Sequence, residues 1–157
     1  MSDETLPADR ANRMADAVET IERNVSQLRR HQQLSHDEYT RSGEHDRRDA
    51  IERKFVKLAG AMVDIASELC KQERETRPEQ RKERIRVLPE EEIITESLSE
   101  RLQAAIGFRD VLAHTYGPIV NDDIVYDALQ NDLDRYVDFV VAIRDYLDSI
   151  HASKQEK

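Results

Sequence analysis

The stretch Ile51-Glu52-Arg53-Lys54-Phe55-Val56-Lys57-Leu58-Ala59-Gly60-Ala61-Met62-Val63-Asp64-Ile65-Ala66-Ser67-Glu68-Leu69 decides the fold. Its apolar residues Ile51, Phe55, Leu58, Met62, Ile65 and Leu69 recur at 4-3-4-3-4 spacing, which lines one face of a helix, while Arg53, Lys57, Asp64 and Lys71 mark the opposite face. That spacing predicts one long amphipathic helix from about Asp46 to Gln72.

Upstream, Met14, Val18, Ile21, Val25 and Leu28 repeat in the same way and predict a helix from about Ala8 to Gln33. Between the two, Ser35-His36-Asp37-Glu38 has the form of a capping box, opening a short turn that Gly43 breaks. Downstream, Pro78 and Pro89 bracket a charged connection. Ser97 and Glu100 then offer a second capping box, for a helix bearing Leu98, Leu102, Ile106 and Leu112. Gly117-Pro118 stops that helix, and Asn121 is placed to cap a last long one with Val125, Leu129, Tyr136, Val140, Ile143, Leu147 and Ile150 on its stripe.

Only four Gly, four Pro and 5% aromatic residues, with no sustained two-residue alternation, leave little material for a sheet. The expected fold is all-α, an up-down helical bundle forming a single domain over residues 1–157, with frayed ends at about 1–7 and 152–157. Stripes this narrow fit helices crossing at roughly 20°. Their length also leaves apolar surface for a second copy, so a homodimer is expected.

At 157 residues the chain is long enough to bury a core without disulfides. No apolar run approaches the roughly 18 residues of a membrane span. Met1-Ser2-Asp3-Glu4 lacks the layout of a signal peptide, which leads us to expect a cytoplasmic protein with no membrane partner. The single cysteine, Cys70, falls on an apolar stripe and reads as a buried thiol with no redox role. His31, His36, His45 and His151 show no ligand spacing, so neither a metal site nor a cofactor is expected.

A formal charge of −9 argues against nonspecific coating of nucleic acid. Local charge differs. Lys71, Arg74, Arg77, Arg81, Lys82, Arg84 and Arg86 form a basic island, directly followed by the acidic Glu90-Glu91-Glu92. It reads either as a solvated connector or as a contact for phosphate or a partner.

Chemistry concentrates in Arg109-Asp110-Val111-Leu112-Ala113-His114-Thr115-Tyr116, an R-x4-H-x-Y pattern at the end of a helix. A permanently charged guanidinium and an imidazole titrating near neutrality are what metal-free RNA cleavage needs, one for phosphorane charge and one for proton transfer. Ordinary structural roles are open to the same residues: a histidine at a C-cap, an arginine paired with a helix carboxylate, a tyrosine with an apolar body and a wet tip.

The layout from about Arg53 to Leu147 resembles the HepT-like toxins of the HEPN superfamily. The resemblance is carried by the run Ala59-Gly60-Ala61-Met62-Val63-Asp64-Ile65-Ala66, the charged connector, the R-x4-H-x-Y helix, and a final helix opening Val125-Tyr126-Asp127-Ala128-Leu129. It implies a metal-independent RNA endonuclease that is toxic to its own cell. It also implies a cognate nucleotidyltransferase antitoxin, which silences the toxin by attaching AMP to the motif tyrosine. Arg109 and His114 would then be catalytic, with RNA as substrate, and Tyr116 would be the AMPylation site and orient the phosphate. The alternative function is a noncatalytic, nucleotide- or substrate-binding helical subunit of a nucleotidyltransferase complex.

One position departs from the family pattern: Asp110 stands where members usually have Asn. A carboxylate one turn before His114 would share its face, pair with the imidazolium and raise its pKa, and would add negative charge beside an RNA phosphate. Helical phase adds a constraint. Arg109 and Tyr116 differ by about 20° around an ideal helix, but His114 lies about 140° from Arg109. Either the helix unwinds at its end, or the site is composite, with Arg109 of one subunit meeting His114 of another.

Overall fold

In the computed structural model, residues 6–114 and 122–155 are described; the side chains of His114 and of residues 151–155 are not. Seven helices occur among them: α1 Ala8–His31, α2 His36–Thr40, α3 His45–Arg74, α4 Arg81–Arg86, α5 Glu96–His114, α6 Asp122–Asn131 and α7 Asp134–Gln155. No strand forms among the described residues, as the composition anticipated.

The α3 stripe is the centre of the core. Ile51, Phe55, Leu58, Met62, Ile65 and Leu69 are all fully enclosed, and each contributes about 1.5–3 kcal/mol through removal of apolar surface from water. Helix α1 lies along α3 and buries its own stripe there, from Met14 to Leu28. α4 and α5 cover another flank of α3, and α7 spans α1 and α5. The α1 and α3 stripes are therefore consumed within one chain, and leftover surface on them gives no support to a dimer. Among the described residues, the large apolar side chains that do stand exposed are Val111, Ile124 and Val141.

The capping box before α2 forms as expected: the Glu38 amide donates to Ser35 Oγ at 3.1 Å and the Ser35 amide to a Glu38 carboxylate oxygen at 3.0 Å. Buried Arg48 of α3 closes the other end of α2, donating to the carbonyls of Tyr39 (2.8 Å) and Arg41 (3.0 Å). Tyr126 of α6 reaches the same corner and donates its hydroxyl to the Leu34 carbonyl at 2.8 Å.

Three sequence expectations are corrected. The Pro78–Pro89 connection is not merely charged chain, because α4 forms within it around one buried anchor, Ile85. The cap of α5 is Thr95 rather than Ser97: the Leu98 amide donates to Thr95 Oγ1 at 3.1 Å and the Ser99 amide to the Thr95 carbonyl at 3.0 Å. The last helix is two, broken between Asn131 and Asp134. Asn and Asp compete with the helical backbone through their own side chains, and Asp134 suits the positive start of a new helix. The buried Leu133 anchors the break.

Candidate active site

Helix α5 buries Leu98, Leu102, Ala105 and Ile106 on one face. The buried hydroxyl of Ser99 on this helix donates to the Ile85 carbonyl at 3.4 Å and ties it to α4. At Gly107 the end of the Lys82 side chain comes near, 3.5 Å from where a Cβ would lie, an ordinary contact distance. One residue later the Phe108 ring meets Phe55 of α3 edge-on, with centroids 5.2 Å apart and planes at 83°. Phe108 thus fixes the helix at the turn from which Arg109 projects.

Arg109 is mostly covered, its side chain 24% exposed. Its Nη1 donates to Asp110 Oδ1 at 3.2 Å, and the same oxygen lies 3.6 Å from Arg81 Nη1 on α4. Asp110 is therefore bracketed by two guanidiniums. The expected pairing of Asp110 with His114 involves a side chain outside the described residues.

Arg109 lines a cleft of about 250 Å³ with Ala59, Gly60, Val63 and Asp64 of α3, Arg81 and Arg84 of α4, and Ile106. The floor is small and apolar; the walls carry three arginines. A wider groove of about 650 Å³ adjoins it along α3, sharing Gly60 and Asp64, and is walled by residues that include Arg13, Lys57, Lys71 and Arg77. A Cβ at Gly60 would meet nothing within 4 Å, so this helix position is bare and open. Loss of solvent and then the charge of Glu68 push the Asp64 carboxyl above its ordinary value, against the pull of Arg84.

The basic island divides in two. Arg74 is neutralised by Glu90 (2.5 Å) and Glu91 (2.7 Å), and Arg86 is paired with Glu83. Arg84 instead donates to the carbonyls of Pro78 (2.7 Å) and Glu79 (2.9 Å) and to Ser67 Oγ (3.3 Å), acceptors that orient it without cancelling its charge. Cys70 is buried as expected, its thiol 3.5 Å from the Arg84 carbonyl, and burial raises its pKa.

Of the motif residues, α5 remains helical through His114, so the backbone does not unwind before it. Tyr116, like the Gly117-Pro118 stop and Asn121, lies outside the described residues. Sequence reasoning missed Gly60, Asp64, Arg81 and Arg84 as neighbours of Arg109. The only hint was the basic island, which carried no sign of where it folds. Among the described residues no group of three or more His, Cys, Asp or Glu could hold a metal ion, and no helix is long and apolar enough to cross a membrane.

Residues 21–143 match the family model described as ribonuclease HepT-like. The chain belongs to the HepT-like ribonuclease family. A relative, the mRNA nuclease HepT of Shewanella oneidensis, is 25% identical over 127 residues, covering 81% of this chain and 92% of that one. A solved structure of a tri-AMPylated HEPN toxin from Shewanella oneidensis, in complex with an MNT antitoxin, superposes with a TM-score of 0.73 at 23% identity, covering 85% of this chain and 97% of that one. YutE, a cytosolic protein of unknown function from Bacillus subtilis, superposes at 0.72 and 16% identity, over 88% of this chain and 91% of its own. At these identities the superpositions establish the HEPN-like helical fold. The run Ala59–Ala66, which carried the family resemblance, is the α3 wall of the Arg109 cleft.

Proposed function

We propose that this HepT-like protein is a metal-independent RNA endonuclease and the toxin of a toxin–antitoxin pair. In this reading it acts in the cytoplasm with Arg109 and His114, and a cognate nucleotidyltransferase antitoxin silences it by AMP transfer to Tyr116. The observation that carries the reading is the position of Arg109, mostly covered in an arginine-walled cleft of a protein whose overall charge is −9.

The chemistry follows from RNA itself. The 2′-oxygen attacks the adjacent phosphorus, the bond to the 5′-oxygen breaks, one proton leaves the 2′-hydroxyl and one reaches the departing 5′-oxygen. His114 carries one of these protons. Arg109 stabilises the charge growing on the equatorial oxygens, its fork matching two of them. AMP on Tyr116 would add bulk and about one negative charge where RNA must lie.

Two copies complete the site. With α5 helical through His114, Arg109 and His114 leave its axis about 140° apart, too far for one face of one helix. Val111, 51% exposed, lies about 60° from His114 around the same axis and gives that side an apolar contact for a second copy. Mixing Arg109→Ala with His114→Ala protein tests this. Each variant alone is inactive, but a mixed dimer keeps one intact composite site, so about a quarter of wild-type cleavage returns. No recovery after subunit exchange would place both residues' work within one chain.

The antitoxin part has its own test. Intact mass of protein made with its nucleotidyltransferase should show added AMP that Tyr116→Phe abolishes; AMP persisting on that variant would assign the modification elsewhere. AMP transfer without any RNA cleavage would favour a noncatalytic subunit of the transferase complex.

A further inference from the structure

We propose that Arg77, Arg81 and Arg84 form a second phosphate subsite, which holds the RNA backbone beside the phosphate engaged by Arg109. The inference rests on the ribonuclease reading and extends it from the reacting phosphate to the strand around it.

Three observations carry it. First, Arg81 and Arg84 line the same cleft as Arg109, and Arg77 lines the groove that continues from it along α3, so the four guanidiniums follow one continuous surface. Second, that surface is short of negative charge. In the cleft itself Asp64 is the one acidic lining residue, and neighbouring Asp110 is already shared by Arg81 and Arg109; in the adjoining groove Asp16 and Glu68 also stand, but Glu68 is taken up by Arg10 and Arg13. No carboxylate of the described residues pairs with Arg77 or Arg84 within 4 Å, whereas the neighbouring island residues Arg74 and Arg86 are both neutralised. Third, Arg84 is oriented in advance. Two carbonyls and a hydroxyl fix its guanidinium while leaving its charge intact. Loss of solvent, then repulsion from Arg77 and Arg81, press its pKa downward, against the pull of Asp64.

A fixed fork facing open volume is suited to phosphate, because it binds two oxygens at once and loses little freedom in doing so. RNA backbone is favoured over an acidic protein segment, since the cleft is continuous with the arginine of the proposed reaction and its floor of Ala59, Gly60 and Val63 is bare enough for a ribose to approach. In a chain of net charge −9, such a local field also selects where a polyanion lands.

The test is RNA binding by the full chain carrying His114→Ala, so that the probe survives whether or not the protein is a nuclease. A fluorescent 12-nucleotide single-stranded RNA is titrated at several salt concentrations. Each phosphate contact contributes about 0.7 to the slope of log affinity against log salt, so Arg77→Gln with Arg81→Gln should lower the slope by about 1.4 and weaken binding roughly tenfold. The charge-matched control, Arg23→Gln with Arg30→Gln on α1, should change the slope far less. If the double variant melts lower than its parent, Arg77→Gln alone decides, with an expected fall of about 0.7. A slope equal to the control's overturns the subsite. So does unchanged RNA binding with lost affinity for the antitoxin, which would give these arginines to the protein partner. Failure of the ribonuclease reading is separately visible, as intact RNA after incubation with wild-type protein, and leaves the slope measurement standing.

Discussion

On its α1 side, α3 packs against the buried Met14–Leu28 stripe and adds a cluster of neutralised charge. Buried Glu68 accepts from Arg10 at 3.0 Å and Arg13 at 2.9 Å, with Lys71 at 3.9 Å, and Arg10 also donates to Gln72 at 2.7 Å. On its α4–α5 side, α3 is held by apolar contact, Phe55 against Phe108, and the cleft arginines Arg81, Arg84 and Arg109 are aimed by carbonyls or share a single carboxylate. Both flanks are rich in arginine. Where a carboxylate matches the guanidinium the arginine builds the fold, and where it does not the charge remains available to a ligand.

The largest change should come from the apolar flank. Phe55→Ala removes a fully enclosed ring that also positions the turn bearing Arg109, and should cost about 3–5 kcal/mol in chemical denaturation, with cleavage lost in parallel. A cost under about 1 kcal/mol would mean that Phe55 does not organise that flank.

Glu68→Ala should cost less, about 1.5–3 kcal/mol, by leaving Arg10 and Arg13 without their shared acceptor. Burial alone would raise the Glu68 carboxyl, but the Arg13 hydrogen bond, the charges of Lys71 and Arg13, and the Arg10 hydrogen bond outweigh it and hold it below its ordinary value of 4.5. A depressed folded pKa contributes stability that is present above 4.5 and lost as pH falls through the folded value. The difference in thermal midpoint between wild type and Glu68→Gln should therefore shrink on acidification through that range. A difference that is constant from pH 7 to 3 would show the carboxylate to be unlinked to folding.

Smaller effects separate the flanks further. Asp110→Asn removes the carboxylate shared by Arg81 and Arg109, and RNA affinity should rise by up to about fivefold, the scale of an exposed ion pair. Arg13→Gln, on the neutralised flank, should leave RNA affinity within about twofold. Equal losses for Arg13→Gln and Arg81→Gln would erase the distinction between the two sides.

Much of this was legible in the residues. The 4-3-4-3-4 run of α3 survives intact because a stripe that regular has one way to be buried, and the Ser35–Glu38 box forms because both of its bonds are local. Helix α4 was not legible, since six charged-rich residues with a single anchor, Ile85, take their helical form from packing against α3 and α5. The break at Asp132 hid because Leu129, Leu133 and Tyr136 keep helical phase across it. In the site, R-x4-H-x-Y marked Arg109, but the cleft around it draws on α3, α4 and α5, and no local pattern encodes that convergence. Ser97 misled for a simpler reason: Thr95, two residues earlier, presents the same kind of hydroxyl, and only packing chooses between them.

The central claim, that Arg109 and His114 cleave RNA without a metal, is tested most directly by incubating the purified chain, free of antitoxin, with single-stranded RNA in excess chelator. Cleavage is expected to proceed, to leave a 2′,3′-cyclic phosphate, and to fall at least 10²-fold in both Arg109→Ala and His114→Ala with helical content unchanged. Cleavage that requires a divalent ion, or that survives His114→Ala, would contradict the account.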